Sequence, residues 1–155
     1  MADLSDLLRP DAVLFGLAAA SKKALFASAA TALARQTGIE ADLIAEALAE
    51  RERLGSTGFG GGVAIPHARV RDVDAVTAVF ARLAHPLAFA AVDGEPVDLV
   101  WVQLSSPDAG ADHLKALARV SRRLRDRAFL AKLRGAGSPD ALYALFTEDR
   151  ARDAA

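Results

Sequence analysis

Val97-Asp98-Leu99-Val100-Trp101-Val102-Gln103-Leu104 is the stretch on which the fold turns. It is rich in β-branched and aromatic residues, and its centre, Leu99 to Val102, is apolar at every position. A strand with one wet face alternates apolar and polar; a strand apolar on both faces lies inside a sheet covered on both sides. Ala75 to Leu83 (A-V-T-A-V-F-A-R-L) reads as a second strand. Asp93-Gly94 is a turn signal between strand-like pieces, and Val63-Ala64-Ile65 is short and extended because Pro66 follows it.

Helical spacing brackets this middle region. Ser21 is an N-cap for a helix running to about Thr37, with Gly38 as its C′ residue. A second helix covers Ala41 to Arg53, with Leu43, Ile44, Ala47 and Leu48 directed inward and Gly55 ending it. Downstream, Asp112 to Arg125 carries Leu114, Leu117, Val120 and Leu124 at helical spacing. Arg127 to Arg134 is a shorter helix, and Ser138-Pro139-Asp140 opens a last one through Phe146. Helices, then strands, then helices predict an α/β fold: one domain with a mixed β-sheet flanked by helices on both faces.

Composition narrows the function. The 155 residues carry 19 Lys+Arg against 20 Asp+Glu, a formal charge of −1, without the basic excess of a nucleic-acid binder. Arg119, Arg122, Arg123, Arg125 and Arg127 read as a solvated helix face. There is no cysteine, hence no thiolate metal site and no thiol nucleophile. His67, His85 and His113 have no compact metal spacing, so neither a metal nor a cofactor is expected. An acidic start excludes a signal peptide, and no apolar run is long enough for a membrane span. A cytoplasmic protein is expected.

The chemistry concentrates in Arg51-Glu52-Arg53-Leu54-Gly55-Ser56-Thr57-Gly58-Phe59-Gly60-Gly61-Gly62-Val63-Ala64-Ile65-Pro66-His67. The glycine run from Gly55 to Gly62 reads as irregular, and it lacks the Lys-Ser/Thr of a P-loop and the spacing of a dinucleotide fingerprint. Its amides at Gly58, Gly60, Gly61 and Gly62, with the Ser56 and Thr57 hydroxyls, form a candidate anion cradle; the alternative is a plain connection. His67, just after Pro66, is either a surface loop histidine or a nucleophile near neutral pH. Arg51 continues the inward stripe of its helix and is either a helix-end cation or an anion ligand. His113 heads the stripe His113, Leu117, Val120, Leu124, where the helix dipole discourages its protonation.

These residues resemble a known family, the enzyme IIA domains of the fructose/mannitol type in the phosphoenolpyruvate-dependent phosphotransferase system, and within it the nitrogen-related IIA regulators. The likeness rests on Arg51-Glu52, the G-S-T-G-F-G-G-G-V-A-I-P-H block ending at His67, A-V-D-G-E-P-V-D-L from Ala91 and A-D-H-L-K-A-L-A-R from Ala111. It spans residues 4–147 as one IIA type-2 domain, with 148–155 expected to be a disordered tail. Two features depart from the usual pattern: Ala88 and Ala90 replace acidic residues, and Phe59 replaces isoleucine.

The resemblance implies that His67 accepts a phosphoryl group at Nε2 from a phosphohistidine carrier of the HPr type. Its other ring nitrogen is expected to be oriented by a backbone carbonyl, with His113 and Arg51 in support. It further implies a phosphocarrier rather than a turnover enzyme, one that regulates targets such as a sensor kinase or transporter. The alternative is a sugar-uptake IIA passing the group to a IIB domain; the absence of an attached IIB or membrane part favours regulation.

Overall fold

Val97 to Ser105 is buried at every position except Asp98, and it is the central strand of a six-stranded mixed sheet. The computed structural model describes residues 3–147; the expected tail, 148–155, lies outside the described residues. In chain order the elements are β1 (Leu8–Leu17), α1 (Lys22–Thr37), α2 (Ala41–Leu54), β2 (Gly58–Gly60), β3 (Val63–Ala64) and β4 (His67–Arg69). They are followed by β5 (Thr77–Leu87), β6 (Val97–Ser105), α3 (Ala111–Leu124), α4 (Arg127–Gly135) and α5 (Pro139–Thr147). The sheet order is β1-β5-β6-β3-β2, with β4 also paired to β6. β5 runs antiparallel to β6, while β3 and β4 run parallel to it.

The two faces separate by the two-residue period of the strands. Phe80 of β5 sits opposite Trp101 of β6, and both rings meet Phe146 of α5, with centroids 4.6 and 5.5 Å away. Phe129 of α4 closes that cluster edge-on. On the opposite face, Thr77 donates to Gln36 Oε1 of α1 at 2.7 Å, and the alanine- and leucine-lined side of α1 is buried. Helices therefore cover both faces, as the apolar centre of β6 requires.

Local signals act where expected at three helix ends. Ser21 Oγ accepts from Ala24 N, the Gly38 amide closes α1 onto Ala34 O with φ 76°, and Ser138 Oγ accepts from Ala141 N. Arg82 ends α4 differently: its guanidinium donates to the carbonyls of Leu133, Arg134 and Ala136, groups a helix terminus leaves unpaired.

Several expectations are corrected. Residues 8–17 form an edge strand that periodicity missed, because Pro10 and two register shifts break its alternation. The second strand runs from Thr77 to Leu87 rather than from Ala75 to Leu83, and so takes in His85. Leu43 and Leu114 point outward, 55% and 61% exposed, each beside the true inward residue, Ile44 and His113. Arg123 is buried, its guanidinium 4.0 Å from the centre of the Phe129 ring and donating to Leu145 O. Arg119 holds Asp6 through two bonds of 2.8 and 2.9 Å. Two of the five arginines read as a solvated face thus serve packing.

The glycine run is not irregular throughout. Gly58–Gly60 pairs antiparallel with Val63–Ala64, and the hairpin turns through Gly61 and Gly62. At Gly62 φ is 80°, and an added Cβ would meet Arg134 Nη2 and, at 2.8 Å, Asp98 Oδ1. Those two atoms belong to an ion pair, so neither can yield without loosening the other. Gly62→Ala is expected to destabilise the fold by about 1–3 kcal/mol, read as a lowered urea midpoint; an unchanged midpoint would show that the hairpin relaxes freely.

Candidate functional site

Pro66 divides one β6-paired edge into two short strands. Its carbonyl still accepts from Gln103 N at 2.9 Å, but proline has no N–H with which to continue a ladder. The chain resumes pairing at His67, which stands opposite Gln103, while Arg69 stands opposite Ser105. His67 is therefore the first residue of a strand anchored to the central strand, not a residue of a free loop.

The ring of His67 is half-buried, and Nδ1 lies 2.8 Å from Ile65 O. A carbonyl only accepts, so Nδ1 carries the proton and Nε2 keeps its lone pair. Burial, with Arg51 and Arg69 nearby, lowers its pKa from 6.5 despite the opposing pull of Ile65 O. The unprotonated Nε2 is the state a nucleophile needs at neutral pH.

His113 comes from the first turn of α3 and is buried. Its ring centroid is 5.5 Å from that of His67, and its Nδ1 is hydrogen-bonded to Ser105 Oγ. Burial, then His67, then Arg69 lower its pKa to about 4. The sign of the pH effect follows. Between pH 6.5 and about 4 the unfolded chain binds a proton at this site that the folded chain refuses. The stabilising contribution is complete above pH 6.5 and is lost as pH falls, by at most about 1.4 kcal/mol per pH unit for this one group. His113→Gln is expected to flatten that part of the stability curve in pH-dependent urea titrations; an identical slope would place the depressed group elsewhere.

Both imidazoles line an open cleft of about 710 Å³ between the end of α2, β4 and the start of α3. Arg51, Arg53 and Arg69 stand around it against a single acid, Glu50. Glu50 lies 3.9 Å from Arg53, whereas Arg51 and Arg69 donate to the carbonyls of Gly55 and Pro107. The cleft is thus electropositive. Its rim is apolar, with Leu54 84% and Leu114 61% exposed beside the half-buried Leu117.

His67, His113 and Arg51 meet in this cleft. The proposed cradle does not, and that expectation is corrected. Ser56 Oγ donates to Phe89 O and accepts from Gly58 N. Thr57 gives both its amide and its hydroxyl to the carboxylate of Glu52, whose side chain is 6% exposed and also holds Lys22 at 2.8 Å. The Gly61 amide donates to Asp93 Oδ2, and Gly60 and Gly62 sit at the hairpin turn against Asp93 and the Arg134–Asp98 pair. None of these residues lines the cleft. The run builds a hairpin, and the Ser56 and Thr57 hydroxyls and the amides of Thr57, Gly58 and Gly61 are engaged in doing so.

Two participants escaped sequence reasoning. Arg69 was discoverable, since two residues beyond His67 on a strand is the same face. Ser105 was not, because only the fold brings it under His113.

Comparison with known proteins places this arrangement. Residues 6–149 match the family described as "Phosphoenolpyruvate-dependent sugar phosphotransferase system, EIIA 2". A "Nitrogen regulatory protein" of Bradyrhizobium diazoefficiens is 43% identical over 142 residues, covering 92% of this chain and 93% of its own. One of Klebsiella oxytoca, likewise described as a nitrogen regulatory protein, is 36% identical, covering 94% and 90%. The crystal structure of nitrogen regulatory protein IIA-Ntr from Neisseria meningitidis superposes with a TM-score of 0.88 at 33% identity, covering 93% and 99%. With sequence, fold and coverage in agreement over nearly the whole length, the chain belongs to the EIIA type-2 family of the phosphoenolpyruvate-dependent phosphotransferase system.

Proposed function

We propose that this protein is a regulatory phosphocarrier, loaded on His67 by a phosphohistidine carrier of the HPr type and read by target proteins according to its phosphorylation state. The observation that carries the reading is the His67 ring, its Nδ1 tied to Ile65 O and its Nε2 lone pair in a cleft edged by three arginines and a second imidazole.

The transfer is a displacement at phosphorus. The Nε2 lone pair of His67 forms the new P–N bond while the P–N bond to the donor's imidazole breaks, its electron pair returning to the donor ring. No proton moves at His67, because Nδ1 already holds one. Such a transfer needs positioning and charge stabilisation rather than covalent help. Arg51 and Arg69 meet the phosphoryl oxygens as cations, and neutral His113 donates from its ring.

The apolar rim gives the state its readout. Leu54 and Leu114 offer a partner a dry contact, and a phosphoryl dianion at its centre penalises any partner that would bury it unpaired. Nitrogen-regulatory relatives of nearly equal length support a regulatory role over sugar uptake. Among the described residues no helix is long and apolar enough to cross a membrane.

The test is incubation with phosphoenolpyruvate, enzyme I and an HPr-type carrier, followed by localisation of the phosphate. One acid-labile, alkali-stable phosphate on His67 is expected, and an unlabelled protein overturns the reading. A sugar-specific IIB domain added to the reaction is expected to stay unlabelled; rapid passage of the group to it would make the protein an uptake component.

A further inference from the structure

Beneath His113 the central strand carries a row of polar side chains in an otherwise apolar stretch. Trp101, Gln103 and Ser105 are each fully buried and share one face of β6. Trp101 Nε1 donates to Gln103 Oε1 at 3.2 Å, and Gln103 Nε2 reaches the carbonyl of His113 at 3.4 Å. Ser105 Oγ is hydrogen-bonded to Nδ1 of the His113 ring. The same row sets β4, with Gln103 opposite His67 and Ser105 opposite Arg69. One strand thus seats both imidazoles side by side.

Resting on the phosphocarrier reading above, we propose that Ser105 is a positioning residue that fixes the tautomer of His113, holding its ring proton on Nε2 for the phosphoryl group. The argument is one of satisfying buried donors. Among the described residues the Ser105 hydroxyl has a single hydrogen-bond partner, His113 Nδ1. If Nδ1 carried the proton it would donate to Oγ and leave the serine O–H buried without an acceptor, a costly state. With Ser105 donating to Nδ1, the serine O–H and the Nδ1 lone pair satisfy each other, and the remaining N–H of the ring is Nε2–H. The ring then has a donor available to phosphoryl oxygens arriving at His67. Gln103 holds the backbone of His113 and Ser105 holds its ring, so tautomer and placement come from the same strand.

The test uses the full chain labelled with ¹⁵N at histidine. Long-range ¹H–¹⁵N correlation spectra of the wild type are expected to show His113 protonated on Nε2 alone, and Ser105→Ala to show both tautomers. Transfer from a phosphorylated HPr-type carrier is expected to slow about tenfold in Ser105→Ala. In a His113→Ala background the same change is expected to slow it no further, as holds for a residue acting only through the ring. A wild-type His113 protonated on Nδ1 would overturn the proposal. So would an unaltered tautomer and rate in Ser105→Ala, or an equal slowing in both backgrounds. A wild type that takes no phosphate would instead sink the phosphocarrier reading and leave the tautomer measurement standing.

Discussion

His67→Ala is expected to take no phosphate from the HPr-type carrier, with an unfolding free energy within about 0.5 kcal/mol of wild type. Both halves follow from how the ring is held. Its side-chain hydrogen bond goes to a carbonyl two residues away, Ile65 O, and the ring lies half-buried at a cleft wall, so truncation opens no enclosed cavity. The strand pairing of β4 is made by backbone atoms and survives the change. Chemistry has no such redundancy. His113 has its Nδ1 engaged by Ser105 and is buried, so it is a poor substitute nucleophile. Quantifying ³²P incorporation beside a denaturation curve checks both; residual label at wild-type stoichiometry would move the acceptor to another residue.

Removing the supporting groups is expected to slow the reaction without changing its site. His113→Ala and Arg51→Ala should each reduce the transfer rate by about 10²-fold, the scale of losing one preorganised donor to a charged transition state. The His113 variant isolates hydrogen bonding from charge, because a ring with a pKa near 4 is neutral at physiological pH. Raising the salt concentration should therefore narrow the gap between wild type and Arg51→Ala more than the gap for His113→Ala. Rapid-quench measurement of labelling at two ionic strengths reads both, and wild-type rates in either variant would reduce that residue to a structural part.

The portion of the fold legible in the sequence was the portion with strong local grammar. Ser21 and Gly38 bracket α1 because a hydroxyl cap and a left-handed glycine are local solutions to unpaired backbone groups. Trp101 lies in a central strand because the residues around it leave no polar face. By contrast, β1 escaped notice since its pairing partner is some seventy residues away and its own pattern is broken by Pro10. The glycine run misled for a related reason. Bare amides were visible in the sequence, but their acceptors, Asp93 and Ser56, lie on or beside the hairpin only once it has folded. The cleft divides the same way: His67, His113 and Arg51 stand out by residue type, whereas Ser105 resembles any strand-end serine until the helix lies across it.

The break at Pro66 has a wider consequence. Because pairing stops there and restarts at once, the His67 imidazole projects from backbone hydrogen-bonded to the central strand, with its Nδ1 held by Ile65 O. On the proposed reading, such a protein would be read by the group written on it, at a fixed address to which its listeners come.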